Sequence, residues 1–233
     1  MVENHWNLHS ISSTTPSDTG PICREHLLMK VFKSLKNLFT SRRAKRAKSL
    51  REKYPQYEIG RGTYGNLDIR IWNERATFKI GAFCSIASGV KIFLGGEHRV
   101  DWVTTYPFNV LCESGRHLTG HPKTKGDVII GNDVWIGTEA MIMSGVKIGD
   151  GAVVGARSLV AQDMEPYAIY AGNPARLVRK RFDDATIQHL LELEWWNFSD
   201  EEIEQLLPLL LNTDIQAFIV EAKRRKATGK QSH

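Results

Sequence analysis

The sequence predicts a mainly β chain, a parallel β-helix of hexapeptide repeats with an extended loop and flanking N- and C-terminal α-helices. Three coincident periodicities carry this reading. Every sixth residue from Ile130 is aliphatic: Ile130, Ile136, Ile142, Ile148, Val154 and Val160. The next residue is small at Gly131, Gly137, Gly149, Gly155 and Ala161, with Met143 the exception. The fourth place after each holds a small or apolar side chain: Val134, Ala140, Val146, Ala152, Ser158 and Met164. A fixed period kept at three places at once marks a solenoid, whose units bury a face only by stacking on their neighbours.

Hexads of this kind form the faces of a triangular prism, with about 18 residues per coil. The aliphatic residue points inward and stacks on its equivalent one coil away, at the usual ~4.8 Å strand spacing. The small residue beside it is expected to let the backbone turn at the corner. The same register runs upstream through Ile80, Ile86 and Ile92, with Gly81 and Ala87 following and Cys84 and Val90 at the fourth place. Cys84 therefore reads as a structural, inward-facing residue. Ile59, Leu67, Ile69, Ile71 and Phe78 predict irregular coils over residues 56–79.

Residues 95–126 break the repeat with a segment rich in aromatics and carrying His98, His117 and His121. An insertion of that size in a regular solenoid is usually functional. Pro166 and Pro174 are expected to end the strand pattern. Beyond them, Asp183–Glu194 reads as a helix, Ser199 with Glu202 as a capping box opening a second helix through Leu211, and Asp214–Arg225 as a third.

The N-terminal part differs in composition. Residues 1–22 are polar and read as a tail without the apolar stretch of a secretory signal. Leu28, Val31, Phe32, Leu35, Leu38 and Phe39 recur at helical spacing within residues 23–53. From Lys30 to Lys53 stand ten Lys/Arg against one Glu, a charge of +9 in a chain whose total is +5, so the remainder carries −4. An apolar stripe followed by a cationic run suits contact with a membrane surface through residues 27–53; packing on the prism or contact with another partner are the alternatives, and a solvated, trimer-capping helix is the more common case. Nucleic-acid binding is not expected, since no recognised module accompanies the charge. Hydrophobic residues make up 42% of the chain and charged ones 24%, ordinary globular values. The three cysteines are an odd number at no metal-binding spacing, so a reducing cytoplasm is the expected setting, with a peripheral position at the inner face of the membrane as its variant. The domain reading is residues 1–55 as tail and basic helix, 56–180 as the prism with loop 95–126, and 181–233 as C-terminal helices.

The runs IGAFCSIASGVKIFLGGEHRVDWVTTYPF, VIIGNDVWIGTEAMIMSGVKIGDGAVVGARSLV, PYAIYAGNPARLV and LELEWWNFSDEEI resemble the xenobiotic acetyltransferases. This family includes the type B chloramphenicol and streptogramin acetyltransferases, with close relatives that acetylate sugars. The resemblance covers about residues 56–215. It implies a left-handed β-helix, although parallel crossovers are otherwise right-handed. It further implies acetyl-CoA as co-substrate, no metal, and a homotrimer.

Acetyl transfer to a hydroxyl needs a base of near-neutral pKa, and imidazole meets that need. The family's catalytic histidine matches His98, for which Asp101, Glu97 or a backbone carbonyl would serve as orienting partner. Trp102, Tyr106 and Phe108 are candidates for an apolar wall against the acceptor, or for packing on a neighbouring subunit. His121 is a second acceptor-binding candidate. His117 and His121 lie four apart in an irregular loop, and no third histidine stands on a neighbouring face to complete a metal site. Carried over from the family, Trp135, Thr138, Ala156, Ala161, Gln162 and Arg179 stand along the acetyl-CoA channel. Ala161-Gln162 departs from the family's frequent Thr-Lys, which removes a phosphate-facing cation. Direct transfer requires no acyl-enzyme nucleophile. The expected reaction is O-acetylation of a sugar or polysaccharide precursor. The alternatives are an antibiotic O-acetyltransferase and, from another class, a β-helix scaffold or metal-dependent hydratase.

Overall fold

The computed structural model describes residues 49–72 and 75–229. The expected tail and most of the basic N-terminal helix, with the stripe from Leu28 to Phe39, lie outside the described residues. The end of that segment forms a single helical turn, α1 (Leu50–Lys53), opened by a capping box between Ser49 and Glu52.

Among the described residues, the prism is a left-handed parallel β-helix built on these strands in chain order: β1 (Glu58–Ile59), β2 (Tyr64–Arg70), β3 (Phe78–Ile80), β4 (Ser85–Phe93), β5 (Val128–Ile130), β6 (Trp135–Ile136), β7 (Met141–Ile142), β8 (Lys147–Ile148), β9 (Val153–Val154), β10 (Leu159–Val160), β11 (Ala168–Ala171) and β12 (Arg176–Lys180). One face stacks β1-β3-β5-β8. The long strand β4 bends at Gly89 (φ 75°) and serves the other two faces, pairing Ile86 with Ile136 and Ile92 with Ile142. Parallel pairing of Ile130 with Ile148, Ile136 with Val154, and Ile142 with Val160 fixes an eighteen-residue coil. Ile80 pairs with Ile130, fifty positions on, which is one coil plus the thirty-two residues of loop 95–126. The loop is thus an insertion that leaves the register of the prism intact.

Inward places are filled as the periodicity predicts. Ile80, Ile130 and Ile148, then Ile86, Ile136 and Val154, then Ile92, Ile142 and Val160 form three buried ladders. Each such side chain contributes roughly 1.5–3 kcal/mol by leaving water. The fourth-place residues Val134, Ala140, Val146, Ala152, Ser158 and Met164 are buried as well.

Two expectations are corrected. The corner is turned at the third place after each aliphatic residue, not at the small residue beside it. Phe83, Gly89, Asp133, Glu139, Gly145, Gly151 and Arg157 all have positive φ, between 54° and 76°. The small residue is required by the next coil: a Cβ on Gly137 would sit 2.6 Å from the Ala156 amide nitrogen, and one on Gly149 2.5 Å from the Pro166 nitrogen. Strand structure also continues past Pro166. There β11 pairs parallel with β9, Ile169 opposite Val153, and β12 returns antiparallel to it. Met164 bridges Ile148 and Ile169 pairs with Val153, sixteen positions apart in both cases, so a shortened coil accommodates Pro166 before the strand.

Loop 95–126 carries one short helix, α2 (Phe108–Leu111). After the prism come α3 (Asp184–Leu193), α4 (Asp200–Leu210) and α5 (Ile215–Gly229). Asp183 caps α3, and the Ser199–Glu202 capping box opens α4. These helices share a core of Ile187, Leu190, Leu193, Phe198, Ile203, Leu206, Phe218 and Ile219, joined to the prism through Tyr167 and Phe83. Phe83 meets Trp195 at 5.2 Å between ring centres. Arg61 reaches across to the carbonyls of Trp196 and Phe198 and to Asp200.

Candidate active site

The loop leaves and rejoins the prism through a hydrogen-bonded neck. Glu97 and Lys123 exchange backbone hydrogen bonds, 3.1 Å and 2.8 Å, and Thr124 Oγ1 donates to the Leu94 carbonyl at 2.8 Å. Ser144, buried at a corner of the next coil, donates to Glu97 Oε1 and accepts from the Lys125 amide at 3.1 Å. Glu97 thus binds the exit of the loop to the prism two residues after Gly95. Its second carboxylate oxygen is shielded from solvent and has no partner among the described residues.

His98 follows directly and is exposed. Its Nδ1 lies 2.7 Å from the carbonyl oxygen of Thr105. A carbonyl only accepts, so Nδ1 carries a proton, and in the neutral ring the lone pair then lies on Nε2. Of the orienting partners considered from sequence, the backbone carbonyl occupies the position. Glu97 faces Ser144 instead, and Asp101 faces Arg99, whose Nε and Nη2 donate to it at 2.7 Å and 2.5 Å. That bidentate pairing holds the Asp101 carboxyl down to about 2.

The structure brings His121 against His98, ring centres 4.6 Å apart and planes at 84°. Both ring nitrogens of His121 are shielded from solvent and unpartnered among the described residues. Burial first, and the neighbouring His98 charge second, lower its pKa, so the ring is neutral near pH 7. Asn109 Nδ2 donates to the carbonyls of His121 (3.0 Å) and Leu118 (3.2 Å), which folds the two arms of the loop together. Trp102 lies 6.5 Å from His121 and carries Arg99 over its ring at 5.1 Å. Tyr106 and Phe108 meet at 4.7 Å and are both half exposed. Trp72, stacked flat on Phe93, covers Gly96 at the other side of the neck. Among the described residues, no group of three or more His, Cys, Asp or Glu is placed to hold a metal ion.

The positions expected along the co-substrate channel fall on one face and two corners of the prism. Trp135 is exposed on β6 and belongs to a cross-strand row running Ser85, Trp135, Val153, Ile169, Arg179. Thr138 and Ala156 are exposed one coil apart at the corner that follows this face, where the Arg157 amide donates to the Thr138 carbonyl. Ala161 and Gln162 are exposed one coil beyond Met143 and Ser144, at the corner to which Glu97 ties the loop neck. Thr105, Asn109 and Ser144 have no signal in the sequence. Thr105 acts through its carbonyl, and the other two act across separations that no local pattern encodes.

An eighteen-residue β-coil with a histidine-bearing loop held at its corner defines a hexapeptide-repeat acyltransferase. The family described as bacterial transferase hexapeptide (six repeats) matches residues 127–162. Over 141 residues the chain is 50% identical to a chloramphenicol acetyltransferase of Klebsiella aerogenes, covering 58% of this chain and 67% of that one. Over 135 residues it is 52% identical to a "Probable macrolide acetyltransferase" of Lysinibacillus sphaericus, 56% of this chain and 75% of that one. Over 141 residues it is 43% identical to a virginiamycin A acetyltransferase of Staphylococcus aureus, 59% of this chain and 64% of that one. The chain belongs to the xenobiotic acetyltransferase family and is an acetyltransferase.

Proposed function

We propose that the protein transfers acetyl from acetyl-CoA to a hydroxyl of an antibiotic of the chloramphenicol or streptogramin kind. The names of its most similar relatives support the antibiotic over the sugar acceptor expected from sequence. The observation that carries the chemistry is the 2.7 Å contact of His98 Nδ1 with the Thr105 carbonyl, which in the neutral ring leaves the lone pair on Nε2. His98 takes the acceptor's hydroxyl proton as its oxygen attacks the acetyl carbonyl, and returns that proton to the sulfur of CoA as the carbon–sulfur bond breaks. No side chain is acylated.

Trp102, Tyr106 and Phe108 supply the apolar wall on the acceptor side. Trp135 and Arg179, on one row along the prism, suit an extended ligand with a charged end, as do the open backbone positions at Thr138, Ala156, Ala161 and Gln162. Assembly as a homotrimer would cover the half-exposed aromatics of loop 95–126. Thiol release from acetyl-CoA, measured with chloramphenicol, a streptogramin A and a panel of nucleotide sugars, tests the reading. Turnover with either antibiotic that falls at least a hundredfold in His98→Ala is expected, within the usual range for loss of a general base. Turnover with sugars alone overturns the acceptor, and undiminished turnover in His98→Ala overturns the base.

A further inference from the structure

His98 is an exposed side chain on a loop, and a base must be held in one orientation to be effective. Among the described residues two contacts hold it: the Thr105 carbonyl on Nδ1 and the His121 ring, edge to face at 4.6 Å. The His121 nitrogens are closed to solvent and have no partner among the described residues. A neutral ring whose polar atoms are unavailable to ligand, yet which lies against the base, acts by shape. Its place is set from behind, where Asn109 donates to the His121 and Leu118 carbonyls. The Asn109 Oδ1 is shielded and unpartnered, so the amide is committed to this bracing through its NH2 group alone.

We infer that His121 is a positioning residue: its imidazole, anchored through Asn109, braces the His98 ring so that Nδ1 stays on the Thr105 carbonyl and Nε2 faces the acceptor. The inference rests on His98 being the base. It assigns His121 no proton transfer and no ligand contact. Near-neutral charge on His121 favours the arrangement, because a second imidazolium at this distance would oppose the one formed on His98 during turnover.

The test is steady-state kinetics of the wild type, His121→Ala, His121→Phe and Asn109→Ala, with both substrates varied. A displaced base loses about tenfold to a hundredfold in turnover. His121→Ala is expected to lower kcat by that factor with the acceptor KM within about threefold of wild type. His121→Phe keeps the ring and is expected to restore kcat to within about threefold. Asn109→Ala should lie between them. Nitrogen-15 NMR of the histidines supplies a second readout: the wild type should show His98 as one Nδ1–H tautomer, and His121→Ala a mixture. A raised acceptor KM at unchanged kcat would make His121 an acceptor ligand and overturn the inference, as would an inactive His121→Phe or an unchanged His121→Ala. Should His121→Ala fail to fold, the Phe and Asn109 variants still decide. A wild type whose turnover survives His98→Ala refutes the base itself, a result read independently of the His121 series.

Discussion

Glu139 and Arg157 occupy the same corner of successive coils, both in the left-handed backbone region (φ 60° and 58°), and Arg157 Nε donates to Glu139 Oε2 at 2.6 Å. A left-handed residue with a Cβ costs roughly 1–2 kcal/mol. The exposed ion pair recovers at most about 1 kcal/mol. Arg157→Gly is therefore expected to leave stability within about 1 kcal/mol of wild type, since relief of the backbone offsets the lost pair and the added chain entropy. Arg157→Val should lose about 1–2 kcal/mol, because a β-branched residue is poorly tolerated there. Urea unfolding followed by circular dichroism checks both.

The small place of the hexad makes the opposite demand. Gly137→Ala puts a Cβ 2.6 Å from the Ala156 amide, a backbone atom that cannot rotate away. The expected cost is about 1–3 kcal/mol, the range for overpacking, read as a lower urea midpoint at unchanged slope.

Asp133 and Arg181 join the prism to the segment leading into α3. Arg181 Nη1 lies 3.2 Å from Asp133 Oδ2 and 2.7 Å from the Gly151 carbonyl, with the guanidinium over Tyr167 and Phe182. Burial raises the Asp133 pKa, opposed by Arg181 and assisted by Asp150. A raised carboxyl favours the native state most below its unfolded pKa and progressively less as pH rises through the folded value. Removing Arg181 raises it further. Arg181→Met should therefore lose stability at both pH values through the Gly151 contact and the ring stacking, and about 1–3 kcal/mol more at pH 7 than near pH 3.5. Equal losses at both pH values would show that packing, not charge, is what Arg181 supplies.

Cys84 and Cys112 should separate by reactivity. Burial pushes the Cys84 thiol up to about 12, while Cys112 is only partly buried. In a Cys23→Ser protein, a disulfide reagent at pH 8 is expected to titrate one thiol in the native state and the second only after unfolding. Because the unfolded Cys84 thiol ionises nearer pH 9, stability should fall as pH rises from about 9 toward 12.

At the loop neck, Ser144→Ala removes the side-chain partner of Glu97 Oε1 beside an Oε2 that is already shielded and unpartnered among the described residues. An unsatisfied buried group costs about 1–3 kcal/mol. The loss should appear as faster amide exchange of residues 95–98 and 123–126, with the aliphatic ladders of the prism unaffected.

Much of the prism was legible because its interactions repeat. A side chain that recurs at a fixed interval reports its own neighbours, so the inward places and the length of the loop could be read from residue types, as could the Ser199–Glu202 capping box from its local spacing. The strands beyond Pro166 were not legible, since the sixteen-residue coil there leaves the six-residue register. The role of the small hexad residue was misread for a related reason. Its consequence lies in the coil below, whereas φ at the third place is set by the handedness of the corner and not by residue type, as Phe83 and Arg157 show.

The sequence by itself determined the repeat, the acetyltransferase class and the presence of His98 in an inserted loop. These depend on periodicity and on motifs that are contiguous in the chain. Only the tertiary structure decided that the Thr105 carbonyl, and neither Asp101 nor Glu97, meets His98, that Ser144 clamps Glu97 from forty-seven positions away, and that His121 lies against His98. The physical reason is that a backbone carbonyl is the same atom at every position, and that loop side chains meet through folding of the loop, whose contacts have no period to betray them.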